Sequence, residues 1–417
     1  MEISRRGFVR SSAAAFTMGF AAPTFLGDLA RAQQASGRSL VVLYLGGGND
    51  ALSFLVPYTD AAYHARRPTQ AVPADRVLQI GTDGGGKALG LHPNLSGLKS
   101  IYDDGCLALI QRTGYANASR SHFLSADIWS TADPDAPNGS GWLGRYLDTL
   151  PTPVDPLFAW NTSYELPRTL LSTSVSVSSI PSPEEYAFHS PSDAAQARTA
   201  TTTIASHLPP ADPHLSFVHS TTLTAMATID RVATVGAYTP STPYPETDLG
   251  ATMQAVAGAI ATEIGTQVYW VQTGGYDTHA GQDTLDGSYA QLLTTLNGAL
   301  FAFYADLRNQ GLLDETLVVQ FSEFGRRVSE NGSAGTDHGA GGLMMAFGGR
   351  VGGGLYGTAA ASLANTDENP DLENQGRDVK YQTDFRSVYA RVIDDWLGVD
   401  SVPILGGDFR NAAVNFV

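Results

Sequence analysis

Three short apolar runs of this chain each stop at Gly or Ser and then present an acid. Leu40–Leu45 leads into Gly46-Gly47-Gly48-Asn49-Asp50, Val268–Val271 into Gly274-Gly275-Tyr276-Asp277-Thr278-His279, and Leu317–Phe321 into Ser322-Glu323. Fourteen residues past Glu323 comes Asp337-His338, followed by the apolar run Leu343–Phe347. Carboxylate oxygen and imidazole nitrogen together suit zinc, manganese or similar divalent ions, and an Asp can instead orient a ligating His from behind. Asp50, Asp277, His279, Glu323, Asp337 and His338 therefore form one candidate set of metal ligands, with zinc, manganese, calcium or magnesium as the ion. Asp277 and His279 are two apart, which in an extended segment turns both side chains the same way.

Ser121 is the candidate nucleophile, with His122 beside it on a loop of small polar residues. His122 has two other readings, as a metal ligand or as a hydrogen-bond donor to an oxyanion. No Gly-x-Ser-x-Gly elbow supports an ordinary serine hydrolase. Arg326 and Arg327 could clamp a phosphate or sulfate, and a surface ion pair is the alternative. The Gly46–Gly48 turn lacks the GxGxxG spacing of a dinucleotide site, and Pro57 breaks the chain before a long helix could follow. Those glycines are expected to bend the backbone so that Asn49 and Asp50 face the site.

The elements that must position these residues form an α/β protein. Continuous apolar runs read as strands buried on both faces. Between the second and third lie Leu292, Leu293, Leu296, Leu300, Phe303, Tyr304 and Leu307 at helical spacing, with Gly311 as the stop, which makes a βαβ unit. In open parallel sheets ligands bind beyond the carboxyl ends of the strands, so Asp50, Asp277 and Glu323 should converge on one rim. A fourth strand, Cys106–Gln111, would deliver Ser121 and His122 to the same rim. Residues 151–245, rich in Ser, Thr, Pro and Ala, read as an inserted or cap region with one helix near 215–233. A closing helix runs to Gly398 from an N-cap at Thr383.

Composition narrows the partners. With 25 basic against 41 acidic residues the formal net charge is −16, which repels a nucleic-acid backbone. The single Cys106 cannot form an intramolecular disulfide. Ser4-Arg5-Arg6-Gly7-Phe8 and the apolar stretch to Leu26, ending in Ala30-Arg31-Ala32, make a twin-arginine export signal over residues 1–32. The translocase is thus an expected partner during export, with a mature start near Gln33 in the periplasm or outside the cell. That segment carries four arginines against Glu2 and Asp28, so its removal takes the net charge from −16 to −18. No later stretch is apolar enough to span a membrane, and residues 33–417 are expected to form one domain.

Six segments carry a family resemblance: Leu45–Phe54 (LGGGNDALSF), Ser119–Trp129 (SRSHFLSADIW), Gly274–Gln282 (GGYDTHAGQ), Ser322–Arg327 (SEFGRR), Thr336–Gly342 (TDHGAGG) and Asp384–Gly398 (DFRSVYARVIDDWLG). Together with the twin-arginine start they resemble the bacterial family known as domain of unknown function 1501. The family is grouped with the alkaline phosphatase and sulfatase superfamily. The resemblance implies a large, mostly parallel sheet between helices, with divalent metals at the strand ends. It also implies that Asp50 is the first acid, Ser121 lies in the nucleophile interval, Asp277 and His279 are the next pair, and His338 is the last His. Two departures stand out: one residue separates Asp277 from His279, and the expected Asp-His strand end reads Glu323-Phe324, so one metal site is expected to be incomplete. No Cys-x-Pro-x-Arg signature of a formylglycine sulfatase is present. The sequence thus points to an exported, metal-dependent hydrolase of phosphate or sulfate esters. Two alternatives stand beside it: a non-catalytic periplasmic binding or assembly protein on the same fold, and a metal-free serine hydrolase using Ser121 and His122.

Overall fold

A computed structural model describes residues 37–191, 193–207, 213–365 and 368–417. The predicted export signal lies outside the described residues. Among them the central sheet has nine strands, numbered here in chain order: β1 (Ser39–Leu45), β2 (Leu107–Gly114), β3 (Ala159–Asn161), β4 (Ser178–Ser179), β5 (Val268–Thr273), β6 (Thr316–Phe321), β7 (Gly342–Gly348), β8 (Gly354–Tyr356) and β9 (Thr383–Asp384). The spatial order is β8-β2-β7-β6-β1-β5-β3-β4, with β9 also paired to β2. Every pairing is parallel except those of β7, which runs antiparallel to both β2 and β6. The fold is therefore the mostly parallel α/β class that the resemblance implies.

Helices in chain order are α1 (Ala51–Phe54), α2 (Ala61–Arg66), α3 (Ser96–Asp103), α4 (His122–Thr131), α5 (Trp142–Leu147), α6 (Ala194–Ser206), α7 (Pro213–Gly236), α8 (Asp248–Ala261), α9 (Ser288–Asn309), α10 (Phe385–Arg391) and α11 (Ser401–Leu405). Alternate strand residues split the core. Val41, Leu43, Leu45, Tyr269, Val271 and Val318 pack against α3, α8 and α9, where Leu293, Leu296, Leu300 and Phe303 form the predicted stripe. Leu40, Val42, Trp270, Val319 and Phe321 pack against α4, α5 and α10. Burial on both faces explains the uninterrupted apolar runs. Gly311, at φ +71°, follows the end of α9 in the conformation a stop requires.

The register places the chemistry. Leu45 pairs with Thr273 and Tyr44 with Phe321, so β5, β1 and β6 end side by side, and their loops leave over the same edge. Antiparallel β7 starts at that edge, directly after Asp337 and His338. The strand β2 ends there too, and its loop runs to Ser121 and His122 at the start of α4.

Two expectations change. Thr383 does not cap the closing helix, because its backbone is extended and paired to β2; Asp384 is the N-cap, accepting the Arg386 N–H. After Arg391 the helix widens into a π-type turn at Val392–Trp396. The 151–245 segment divides: Ala159–Asn161 joins the sheet beside β5, while α6 and α7 form a helical pair whose Val232 and Val235 join the α8–α9 core. No helix among the described residues is long and apolar enough to cross a membrane.

Candidate metal centre

Gly47 and Gly48 start the site. Both have positive φ, +122° and +80°, and a Cβ on Gly47 would lie 2.4 Å from the Asp277 nitrogen, while one on Gly48 would strike the Phe324 ring. Only glycine lets the loop after β1 press against the loops after β5 and β6. Arg326 seals this junction. It is 1% exposed, and its guanidinium donates to the carbonyls of Gly47, Gly48 (2.7 Å), Tyr276 (3.0 Å) and Thr336 (2.7 Å) and to Asp277 Oδ1 (2.6 Å). Its donors thus face inward, towards the backbone and Asp277.

Asp277 stands at the centre. Its Oδ1 lies 3.0 Å from His338 Nε2 and 3.1 Å from His279 Nε2, and its Oδ2 lies 3.4 Å from His122 Nε2. Partial burial pulls its carboxyl upward, but Arg326, through its hydrogen bond and its charge, outweighs that and holds it well below the usual carboxylate range. His122, Asp277 and His338 each offer one ligand atom, all within 4.8 Å of one another. His279 adjoins this group, its Nε2 only 2.8 Å from His338 Nε2.

The outer nitrogens fix the tautomers. His122 Nδ1 is 2.7 Å from Glu323 Oε1, His338 Nδ1 is 2.7 Å from the Arg120 carbonyl, and His279 Nδ1 is 3.4 Å from Asp337 Oδ1. Each neighbour is an acceptor, so each Nδ1 carries the proton, and the lone pair of each neutral ring sits on Nε2, facing Asp277. Burial, with the nearby Arg326 charge, draws His338 below the ordinary imidazole value and favours its neutral form. His122 Nε2 is buried with no hydrogen-bond partner, its 3.4 Å approach to Asp277 being out of alignment. Two Nε2 lone pairs 2.8 Å apart repel unless a cation, a proton or a metal ion, is shared between them. These residues fit a divalent ion, as orienting groups behind each His commonly do in metal sites. Phe324, 2% exposed, walls the cluster, its ring centroid 5.0 Å from that of His122 and 4.5 Å from that of His338.

The nine sequence candidates therefore fall in five places. Asp277, His279, His338 and His122 meet at the centre. Glu323 and Asp337 stand behind it. Glu323 is 1% exposed and also accepts the Gly47 N–H (2.9 Å) and the Ser322 hydroxyl (3.0 Å); Asp337 pairs with Arg327 (2.9 Å) and Asn331 (3.0 Å). Asn49 and Asp50 turn inward beneath the rim and do not face it. Asp50 is 1% exposed, and Arg67 grips it at 2.6 and 3.0 Å while Ser53 and Gln282 each donate at 2.7 Å. Arg326 is the buried seal already described. Ser121 is exposed at the N-cap of α4, and its hydroxyl makes no hydrogen bond among the described residues. Sequence reasoning missed Arg67, whose only signal was a charge 17 positions after Asp50, and the Arg120 carbonyl, which has none.

The family model described as a protein of unknown function, DUF1501, matches residues 113–405. The chain belongs to the DUF1501 family. No curated protein matches its sequence. Among solved structures, this DUF1501 protein is similar to the C-terminal periplasmic domain of EcEptC from Escherichia coli in complex with Zn, at 8% identity and TM-score 0.37 over 75% of this chain and 73% of that one. It is also similar to the PsFucS1 sulfatase from Pseudoalteromonas sp. (11%, TM-score 0.37, 93% and 73%) and to the phosphonate monoester hydrolase SpPMH from Silicibacter pomeroyi (10%, TM-score 0.29, 90% and 75%). At these scores the likeness carries nothing about the site, which stands on this chain's own residues.

Proposed function

We propose that this DUF1501 protein is an exported, metal-dependent hydrolase of phosphate or sulfate esters, with one divalent ion held by His122, Asp277 and His338 and adjoined by His279. The observation that carries the reading is the convergence of three imidazole Nε2 atoms on one ionised carboxylate, each ring held from behind by an oxygen acceptor. A donor set this rich in imidazole suits zinc or a similar transition ion better than calcium or magnesium, which prefer oxygen. Such an ion, when bound, supplies Lewis acidity that polarises an ester oxygen and acidifies a nucleophile.

The chain's own groups do the rest. Glu323 holds the His122 tautomer, and Arg326 keeps Asp277 ionised and aimed. Ser121 offers an unengaged hydroxyl one residue before His122, at the N-terminus of α4, where the helix dipole favours developing negative charge. Arg327, about one-third exposed and paired with Asp337, is a guanidinium beside the cluster that is open to an anion, whereas Arg326 is enclosed. Export through the twin-arginine translocase would place this chemistry in the periplasm or outside the cell.

Metal analysis of the purified protein, joined to a screen of aryl phosphates and sulfates, tests the reading. About one equivalent of metal, with turnover lost on His338→Ala, is expected. Less than about a tenth of an equivalent, with no turnover, would reject it. The closed Asp50–Arg67 pair favours a second reading, a non-catalytic binding protein: Asp277→Ala would then leave partner capture unchanged.

A further inference from the structure

Helix α4 carries His122 into the metal centre, and its phase is thereby set. Ser125 and Trp129 are buried on the side of His122, whereas the two residues that directly follow His122 are exposed. They are Phe123, 87% exposed, and Leu124, 47% exposed. At these exposures nothing in the packing of α4 requires the two side chains to be apolar. A second apolar pair sits on the same edge of the sheet. The loop after β3, which lies beside β5, carries Tyr164 at 83% and Leu166 at 42% exposure. That loop is anchored at both ends: Asn161 Nδ2 donates to the carbonyls of Ser163 and Glu165 at 2.9 Å, and Arg168 reaches Asp127 of α4 at 2.6 Å. The rim is therefore fixed, and its apolar groups are displayed with no partner of their own. Exposed apolar residues gathered along one edge of a site mark candidate binding surfaces.

Resting on the function proposed above, we infer that the ester this site takes is a monoester of an apolar alcohol, aryl or medium-chain alkyl. Its charged head lies at the His122–Asp277–His338 cluster and its hydrocarbon lies along Phe123, Leu124, Tyr164 and Leu166. Position argues for the substrate over other occupants, since Phe123 directly follows a residue of the metal cluster and any group seated there reaches the scissile bond. The acidic balance of the chain agrees, because it disfavours polyanionic substrates.

The test is binding and turnover of n-alkyl phosphates and n-alkyl sulfates from two to ten carbons by the zinc-loaded full chain, with n-alkylphosphonates titrated calorimetrically as unreactive probes. Complete burial of a methylene is worth about fourfold in affinity, so a one-sided surface should give roughly twofold per carbon. The double variant Phe123→Ser/Tyr164→Ser should at least halve that slope with bound metal unchanged. Ethylphosphonate bound as tightly as decylphosphonate, on protein that holds its metal, would overturn the inference and leave the hydrolase reading standing. So would a variant that changes the oligomeric state in light scattering while the slope is kept, since the rim would then join two copies of the chain. Protein that holds no metal and binds no head group would remove the hydrolase reading and this inference with it.

Discussion

Two acids leave adjacent parallel strands of the same sheet and meet opposite fates. Asp50, after β1, is buried, and Arg67, Ser53 and Gln282 take up its oxygens. Asp277, after β5, has a side chain 46% exposed and faces three imidazole lone pairs. The guanidinium at Asp50 supplies fixed charge in a fork that matches the carboxylate and leaves no site for an ion. At Asp277 the guanidinium of Arg326 engages one oxygen only, while the imidazole lone pairs turn inward beside it, so that end of the sheet stays open to a cation from solution. Position at a strand end is thus not enough to make a ligand; the partner that reaches the carboxylate first decides.

Breaking the closed pair should have the largest effect on folding. Arg67→Ala leaves a buried, ionised Asp50 without its partner and is expected to lower stability by about 3–5 kcal/mol, read by urea unfolding. Asp277→Ala should instead abolish metal binding in folded protein; similar losses of stability from both variants would erase the contrast.

Acid should find the closed region next. His92 is buried there, its Nε2–H donating to the Thr284 carbonyl at 2.7 Å and its Nδ1 accepting the Asn94 N–H, so both nitrogens are used in the neutral form. Burial lowers its pKa from 6.5 to about 4. Because the folded-state value is depressed, the unfolded chain binds the extra proton between those values. Stability should be complete above about pH 6.5 and fall by about 3 kcal/mol as the pH drops to 4. Denaturant midpoints measured across that range check the sign, and stability that rose on acidification would contradict it. Asp50, held below the ordinary carboxylate value against burial by Arg67, adds a further loss only at still lower pH.

Smaller effects should come from the groups behind the imidazoles. Glu323→Gln keeps an acceptor near His122 but removes its charge, and metal affinity should fall about 10- to 100-fold in a competition titration against a chelator. Asp337→Asn should cost less than about tenfold, since Asp337 is 3.4 Å from His279 and shares its charge with Arg327. Equal effects would mean that His279 is bound as firmly as His122.

The frame was legible because burial on both faces imprints an unbroken apolar run, and parallel register then places whatever follows each run on one edge. That logic found β1, β5 and β6, helix α9, and the grouping of Asp277, His279 and His338. It missed β3 and β4, short edge strands in a Ser- and Thr-rich stretch whose pairing leaves no periodic signal. The division between ligand and orienting group was not legible either. Glu323 and Asp277 occupy like positions in sequence, and only the arrival of His122 over Glu323 turns one into a support while the other faces the cluster. Asp50 looked like the first ligand because nothing local announces Arg67 or Gln282, which reach it through the tertiary fold.

The central claim is that the open cluster, and not the closed one, takes the ion. Anomalous diffraction from zinc-loaded crystals tests it most directly. The expected result is a single peak about 2.0–2.2 Å from His122 Nε2, His338 Nε2 and an Asp277 oxygen, with Asp50 still on Arg67. A peak at Asp50 with Arg67 displaced, or no peak among the three histidines at saturating zinc, would contradict it.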